Sequence, residues 1–302
     1  MTGSILVVGS INMDLVVRSP HLPLPGETIL GSQFNTFPGG KGANQAVAAA
    51  RLGAPVKMIG RVGKDAFGEA MLQALRRDGV DVAAIGSDPE APTGVALITV
   101  DDAGQNTIVV ASGANMLLSP ENVVQAEALF EAAALLVLQL EIAPPVIEQA
   151  CLLARRHGVR ILLNPAPARP LPAELLRGID LLIPNQIELA LLAQEQDPSL
   201  AARKLVSWGV GQVIVTLGED GALLVDSSQE IRAPACRVKA VDTTAAGDAF
   251  VGALAVALAD GRSVPEAAAW ANAAAAVSVT RAGAQPSLPR RDEVERMIRE
   301  AQ

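Results

Sequence analysis

The chain has 302 residues, half of them hydrophobic, enough for one large core, and α/β architectures often reach this length as a single domain. Its 24 Lys and Arg against 32 Asp and Glu give a net charge of −8 with no long basic run, which argues against nucleic acid and anionic membranes as partners. Two cysteines, no apolar stretch of the roughly 20 residues a bilayer demands, and no basic leader at Met1–Ile5 set the expectation of a cytoplasmic protein without disulfide framework or signal peptide.

Strands are predicted at Ile5–Val8, Val56–Gly60, Leu135–Leu138, Val159–Leu163, Ile179–Ile183 and Val213–Thr216, where β-branched and Leu-rich runs are short. Helices are predicted at Ala43–Leu52, Phe67–Arg77, Pro145–His157, Ser199–Trp208, Ala249–Ala259 and Val264–Thr280. This alternation gives an α/β fold, a central and mainly parallel sheet flanked by helices, with no visible boundary within residues 1–302. Two helix-poor regions break the rhythm, residues 14–38 and 93–111. In the second, Val95–Val100 and Thr107–Val110 flank Asp102-Ala103-Gly104, a hairpin signature. The two regions are expected to pair into a small separate β-sheet lid.

Polar clusters follow the strand ends, the crevice where open α/β sheets bind ligands. They are Asn12 and Asp14, Gln139-Leu140-Glu141, Asn164-Pro165-Ala166-Pro167, Asn185-x-x-Glu188 and Thr216-Leu217-Gly218-Glu219-Asp220-Gly221. Amide and carboxylate groups such as Asn12, Asp14 and Glu141 suit neutral polyols, and Gly39-Gly40-Lys41-Gly42-Ala43-Asn44 opens a helix with close backbone approach, a cation and an amide. Each cluster alone also fits an ordinary turn or cap. Asn185 and Glu188, three apart, read as a capping box or as a carboxylate that holds the water shell of a magnesium ion.

The segment Asp242-Thr243-Thr244-Ala245-Ala246-Gly247-Asp248 carries the sharpest chemistry. Small residues before a helix let a phosphate approach backbone N–H groups, and a carboxylate on that rim suits proton abstraction from an attacking hydroxyl. Taken alone, Asp248 reads more readily as an ordinary N-cap. The phosphate loop, the dinucleotide fingerprint and the nucleophile elbow are absent, and His21 and His157 are the only histidines.

Together, in this order and spacing, these motifs resemble the ribokinase-like carbohydrate kinases, from Ile5 to about Pro289. The Gly-Gly-Lys-Gly-Ala-Asn helix start and the terminal Ala-Ala-Gly-Asp are specific in combination. The resemblance implies ATP-dependent phosphorylation of D-ribose at its 5-hydroxyl by a single kinase domain, giving D-ribose 5-phosphate and ADP. It implies Asp248 as catalytic base, Ala245, Ala246 and Gly247 as an anion hole, and Asn12, Asp14, Gly40, Lys41, Asn44 and Glu141 as sugar ligands. On the nucleotide side it implies Asn185, Thr216, Gly218, Gly221, Gly247 and Asn272. Glu188 would serve Mg2+ through water. Asp242, Thr244, Ser278, Arg281, Gly283 and Ser287 would surround K+, mostly through main-chain oxygens. A homodimer through the lid is implied as well. Gln186 departs from the many relatives with Glu there, and Asn272 from some with His. Other sugars (2-deoxyribose, fructose), nucleosides, or a non-catalytic sugar sensor remain as alternatives, and scarce aromatics disfavour a nucleoside.

Overall fold

The computed structural model describes residues 3–301. The chain runs β1 (Ser4–Val8), β2 (Asn12–Arg18), β3 (Gln33–Gly39), α1 (Lys41–Arg51), β4 (Val56–Gly63), α2 (Ala66–Arg77) and β5 (Val80–Asp88). Next come β6 (Gly94–Val100), β7 (Asn106–Ala111), α3 (Pro120–Gln125), α4 (Ala128–Glu131), β8 (Ala133–Leu138), α5 (Pro144–Arg156), β9 (Arg160–Leu163) and α6 (Ala173–Leu176). The last third holds β10 (Leu181–Leu182), α7 (Gln186–Ala193), α8 (Pro198–Ser207), β11 (Gln212–Thr216), β12 (Ala222–Val225), β13 (Glu230–Ala233), α9 (Ala246–Ala259), α10 (Val264–Ser278) and α11 (Arg291–Ala301).

Nine strands form one sheet in the order β13-β12-β11-β10-β9-β8-β1-β4-β5. Its pairs are parallel from β11 to β5, and only β12 and β13 run antiparallel at one edge. Both faces are covered, which is why β1 is apolar without alternation: Ile5 and Val7 pack into the core shared with α1, α9 and α10, while Leu6 and Val8 enter the core shared with α5 and α8.

The predicted strands and helices lie where the pattern put them, with differences at edges. Ile179–Ile183 contracts to a two-residue strand, although Ile183 N–H still donates to Leu163 O at 2.8 Å. Strands β5, β12 and β13 were not anticipated. β5 and β13 are the sheet edges, where partial exposure breaks the apolar run: Asp81, Gly86 and Ser87 interrupt β5, and β13 carries Glu230 and Arg232, whereas β12 is buried and apolar but only four residues long. α11 was not predicted because seven of its eleven residues are charged, which leaves few apolar positions to mark its face.

The remaining strands form a second sheet, β3-β2-β6-β7, from the two helix-poor regions. The hairpin forms as expected, with Gly104 N–H closing onto Asp101 O at 3.0 Å. Register places Asn12 between Gly39 and Gly94, so Asn12 and Asp14 stand at the end of β2 nearest the main sheet.

One helix contact positions the chemistry. α1 and α9 cross so closely that a Cβ on Gly252 would lie 2.5 Å from Ala48 Cβ and 2.9 Å from Gln45 O. Only a glycine permits that approach. The crossing brings the start of α1 against the first turn of α9.

Candidate active site

Asp248 is the third residue of α9, not its N-cap. Ala245 takes the cap position with φ 59°, in the left-handed region that costs a residue with a Cβ roughly 1–2 kcal/mol. Asp248 is 5% exposed, and both its oxygens are engaged: Asn44 Nδ2 donates to Oδ2 and Gln45 Nε2 to Oδ1, each at 2.9 Å. The small residues before it divide in a way the sequence did not reveal. Ala246 N–H donates to Thr243 O at 3.2 Å, because the turn closes on itself. Among the described residues, the Gly247 and Asp248 N–H groups have no protein acceptor, and a Cβ on Gly247 would meet nothing within 4 Å. The open donors of the helix start therefore include Gly247 N–H, around which there is space, and Ala245 N–H just before it also has no acceptor among the described residues.

The strand ends bring the other polar residues to the same place. Glu141, after β8, accepts on Oε2 from Ser10 Oγ at 2.5 Å and from Lys41 N–H at 3.1 Å. Gly40 caps α1 with φ 87°, and a Cβ there would lie 2.6 Å from Asn12 N. The Asn12 side chain is oriented by Asn115, whose Nδ2 donates to Asn12 Oδ1 at 2.7 Å and leaves the Asn12 amide NH2 for a ligand.

Charge is unbalanced here. Burial lowers the tendency of Lys41 to stay charged, but the carboxylates of Asp248, Glu141 and Glu188 outweigh it and raise its pKa above the usual lysine value. Burial, helped by Glu141 and Asp248, pushes the Asp14 carboxyl up to about 7. Glu188 is also raised, first by burial, against the opposing pull of the Asn185 N–H and Lys41. Asn12, Asp14, Gly40, Lys41, Asn44, Glu141 and Asp248 thus make one polar pocket at the junction of the two sheets.

Beyond α9 the pocket gives way to a cleft of about 870 Å³, lined by Thr216, Gly218, Gly221, Asn272, Ala246 and Gly247, with Cys236 and Phe250 among the apolar walls. Its size and its mixture of main chain and apolar surface suit a nucleotide. Asn272 lines it while its Nδ2 donates to Ala233 O at 2.9 Å and Pro234 O at 3.1 Å, which holds the cleft wall and leaves Oδ1 without a protein donor among the described residues. Asn185 bridges Thr216 beside the cleft rather than lining it. Asn185 and Glu188 form the full capping box, Asn185 N–H to Glu188 Oε2 and Glu188 N–H to Asn185 Oδ1, both at 2.8 Å.

The proposed cation positions can be tested on donor chemistry. Among the described residues no cluster of three His, Cys, Asp or Glu could enclose a metal. Glu188 keeps Oε1 outside its cap, so it offers one carboxylate oxygen, a donor set that fits Mg2+ carrying water and phosphate ligands. Asp242 ties its loop to the segment after α10, accepting from Thr244 N–H and Gly283 N–H at 2.8 Å each. The Ser278 and Ser287 hydroxyls turn onto Ala275 O and Ala284 O, and the Arg281 side chain pairs with Glu293. With these side chains engaged, a monovalent cation here would depend on main-chain oxygens, of which Ser278 O already accepts from Arg281 N–H at 3.2 Å.

Several residues escaped assignment from sequence. Gln45, Gln139, Asn164 and Ser10 follow strand ends or open α1, the same signal that marked Glu141, yet nothing local tells which of them reach the site. Asn115 lies after β7 with no such signal.

The model of the pfkB family carbohydrate kinases matches residues 2–291. The ribokinase of Haemophilus influenzae is 42% identical over 298 residues, covering 97% of both chains. A deoxyribokinase of Salmonella typhimurium is 40% identical over 291 residues, covering 94% of this chain and 95% of the relative. The structure of Arabidopsis thaliana ribokinase complexed with ribose and ATP superposes with a TM-score of 0.92 at 36% identity, covering 99% of both chains. With a helix-start carboxylate between a polar pocket and a nucleotide-sized cleft, and with this likeness along nearly its whole length, the chain belongs to the pfkB family of carbohydrate kinases and is a phosphotransferase.

Proposed function

We propose that the protein transfers the γ-phosphoryl group of ATP to the 5-hydroxyl of D-ribose, giving D-ribose 5-phosphate and ADP. The observation that carries this reading is the Asp248 carboxylate, buried and held on both oxygens beside open helix-start amides, where the polar pocket meets the cleft. Asp248 accepts the proton of the attacking hydroxyl, and the Gly247 and Asp248 N–H groups take up charge on the moving phosphoryl group. Ala245 and Ala246 shape that anion hole. Asn12, Asp14, Gly40, Lys41, Asn44 and Glu141 hold the sugar hydroxyls, while Thr216, Gly218, Gly221, Asn185 and Asn272 frame the nucleotide.

Glu188 would hold Mg2+ through water, and that ion supplies neutralisation of phosphate charge. The loops of Asp242, Thr244, Ser278, Arg281, Gly283 and Ser287 would hold K+, which supplies fixed positive charge next to the helix start. The small sheet acts as a lid over the sugar and as a homodimer surface in a cytoplasmic enzyme. Exposed Phe34, Leu97 and Val109, which share one of its faces by register, support the dimer reading.

A second reading, 2-deoxyribose as substrate, is favoured by the deoxyribokinase likeness. ADP release measured over ribose, 2-deoxyribose, fructose and nucleosides separates them. Highest kcat/KM on ribose is expected. A preference for 2-deoxyribose installs the second reading, and ATP turnover with none of these sugars rejects both.

A further inference from the structure

We infer that Gln45, oriented by Gln139 and Asn164, is a positioning residue for the Asp248 carboxylate, an inference that rests on the reading of Asp248 as general base. Gln139 directly follows β8 and Asn164 follows β9, while Gln45 lies in the first turns of α1. Asn164 Nδ2 donates to the main-chain Ile183 O at 2.8 Å, so its Oδ1 faces Gln45. Gln45 Nε2 donates to that Oδ1 at 3.1 Å and to Asp248 Oδ1 at 2.9 Å. Its own Oε1 then accepts from Gln139 Nε2 at 2.6 Å.

The chain of amides has one polarity. A main-chain carbonyl at one end and a carboxylate at the other both accept, so a flipped Gln45 would set its carbonyl against Asn164 Oδ1 and Asp248 Oδ1 at once. Gln45 is 1% exposed and Gln139 0%, and both polar side-chain atoms of Gln45 are already engaged within the protein. Burying such amides is costly, the more so because Gln139 Oε1 is left without a partner, and apolar residues would fill the space without that cost. Their return is geometric: the network fixes Oδ1 of the base while Asn44 fixes Oδ2, aiming the carboxylate before substrate arrives.

The test is a double-mutant cycle on kcat and KM with ribose and ATP. Gln45→Met lowers kcat by about 10- to 100-fold, the loss of one charge-assisted hydrogen bond, with KM for both substrates little changed. Gln139→Met, which touches neither Asp248 nor ligand, lowers kcat by about 3- to 10-fold as Gln45 loses its fixed orientation. In an Asp248→Asn background neither substitution lowers the residual rate further, whereas a purely structural role would cost the same factor in both backgrounds. Equal factors, or a folded Gln45→Met enzyme within about twofold of wild-type kcat, overturn the inference. Should Gln45→Met fail to fold by thermal melt, an unchanged kcat in Gln139→Met does so alone. Wild-type turnover by Asp248→Asn itself is a separate result, and it removes the general-base reading rather than the network.

Discussion

Asp14 shares its surroundings with Glu141 and Asp248, while Lys41 is the cation those carboxylates and Glu188 surround. Asp14 titrates near 3.8 in an unfolded chain and at about 7 in the fold, so between those values the native state binds a proton the unfolded chain has released. Its stabilising contribution is complete below the lower value and is lost as pH rises through the upper one. Asp14→Asn should therefore raise Tm at pH 8, by about 2–5 °C, and lose that advantage near pH 4. Calorimetry at both pH values checks this, and equal shifts at the two would contradict it. If Asp14 binds the sugar as proposed, hydroxyls donating to it would offset the cost of its charged form, and stability would then be tied to binding. Gln186, exposed at the start of α7, sits two residues before Glu188. Gln186→Glu adds negative charge there and should lower the Mg2+ concentration for half-maximal activity, read from ADP release in a Mg2+ titration; a half-maximal concentration unmoved or raised would argue against a metal at Glu188.

The α1–α9 crossing is the element on which the site depends. Gly252→Val would drive side-chain atoms into Ala48 and the Gln45 carbonyl, an overpacking expected to cost about 1–3 kcal/mol and to separate Asn44 and Gln45 from Asp248. Denaturant unfolding and kcat should fall together in that variant, and full activity would show that the crossing does not position the base. This dependence also explains what the sequence could reveal. The apolar run of Ala249–Ala259 and the hairpin at Asp102–Gly104 follow from local period and turn chemistry and were legible, whereas α9 begins three residues before that run, at Ala246. Gln45 and Asp248 are 203 residues apart, so their hydrogen bond exists only once two helices pack. The same holds for Asn115 and Asn12, 103 apart. Asp248 looked like a cap because side-chain chemistry near a helix start cannot distinguish the cap from the third residue; the strained Ala245 takes the cap position instead. Edge strands were missed for a related reason, since exposure on one side mixes polar residues into the run.

At the scale of the whole molecule two sheets meet with the polar pocket at their junction, and the outer sheet leaves an apolar face uncovered. Phe34, Leu97 and Val109 are 64%, 50% and 64% exposed, more apolar surface than a lone small sheet normally offers to water. Val109→Lys should convert a dimer to monomers in light scattering after gel filtration, and a wild-type protein that is already monomeric would refute the dimer. Main sheet, small sheet and cleft converge on a single carboxylate at the start of α9, so that group offers the most direct measurement. With saturating ribose and MgATP, steady-state ADP formation by Asp248→Asn should be about 10²- to 10⁴-fold slower than by the wild type, with a fold unchanged by circular dichroism. Turnover near the wild-type rate in that variant would contradict the role assigned to Asp248.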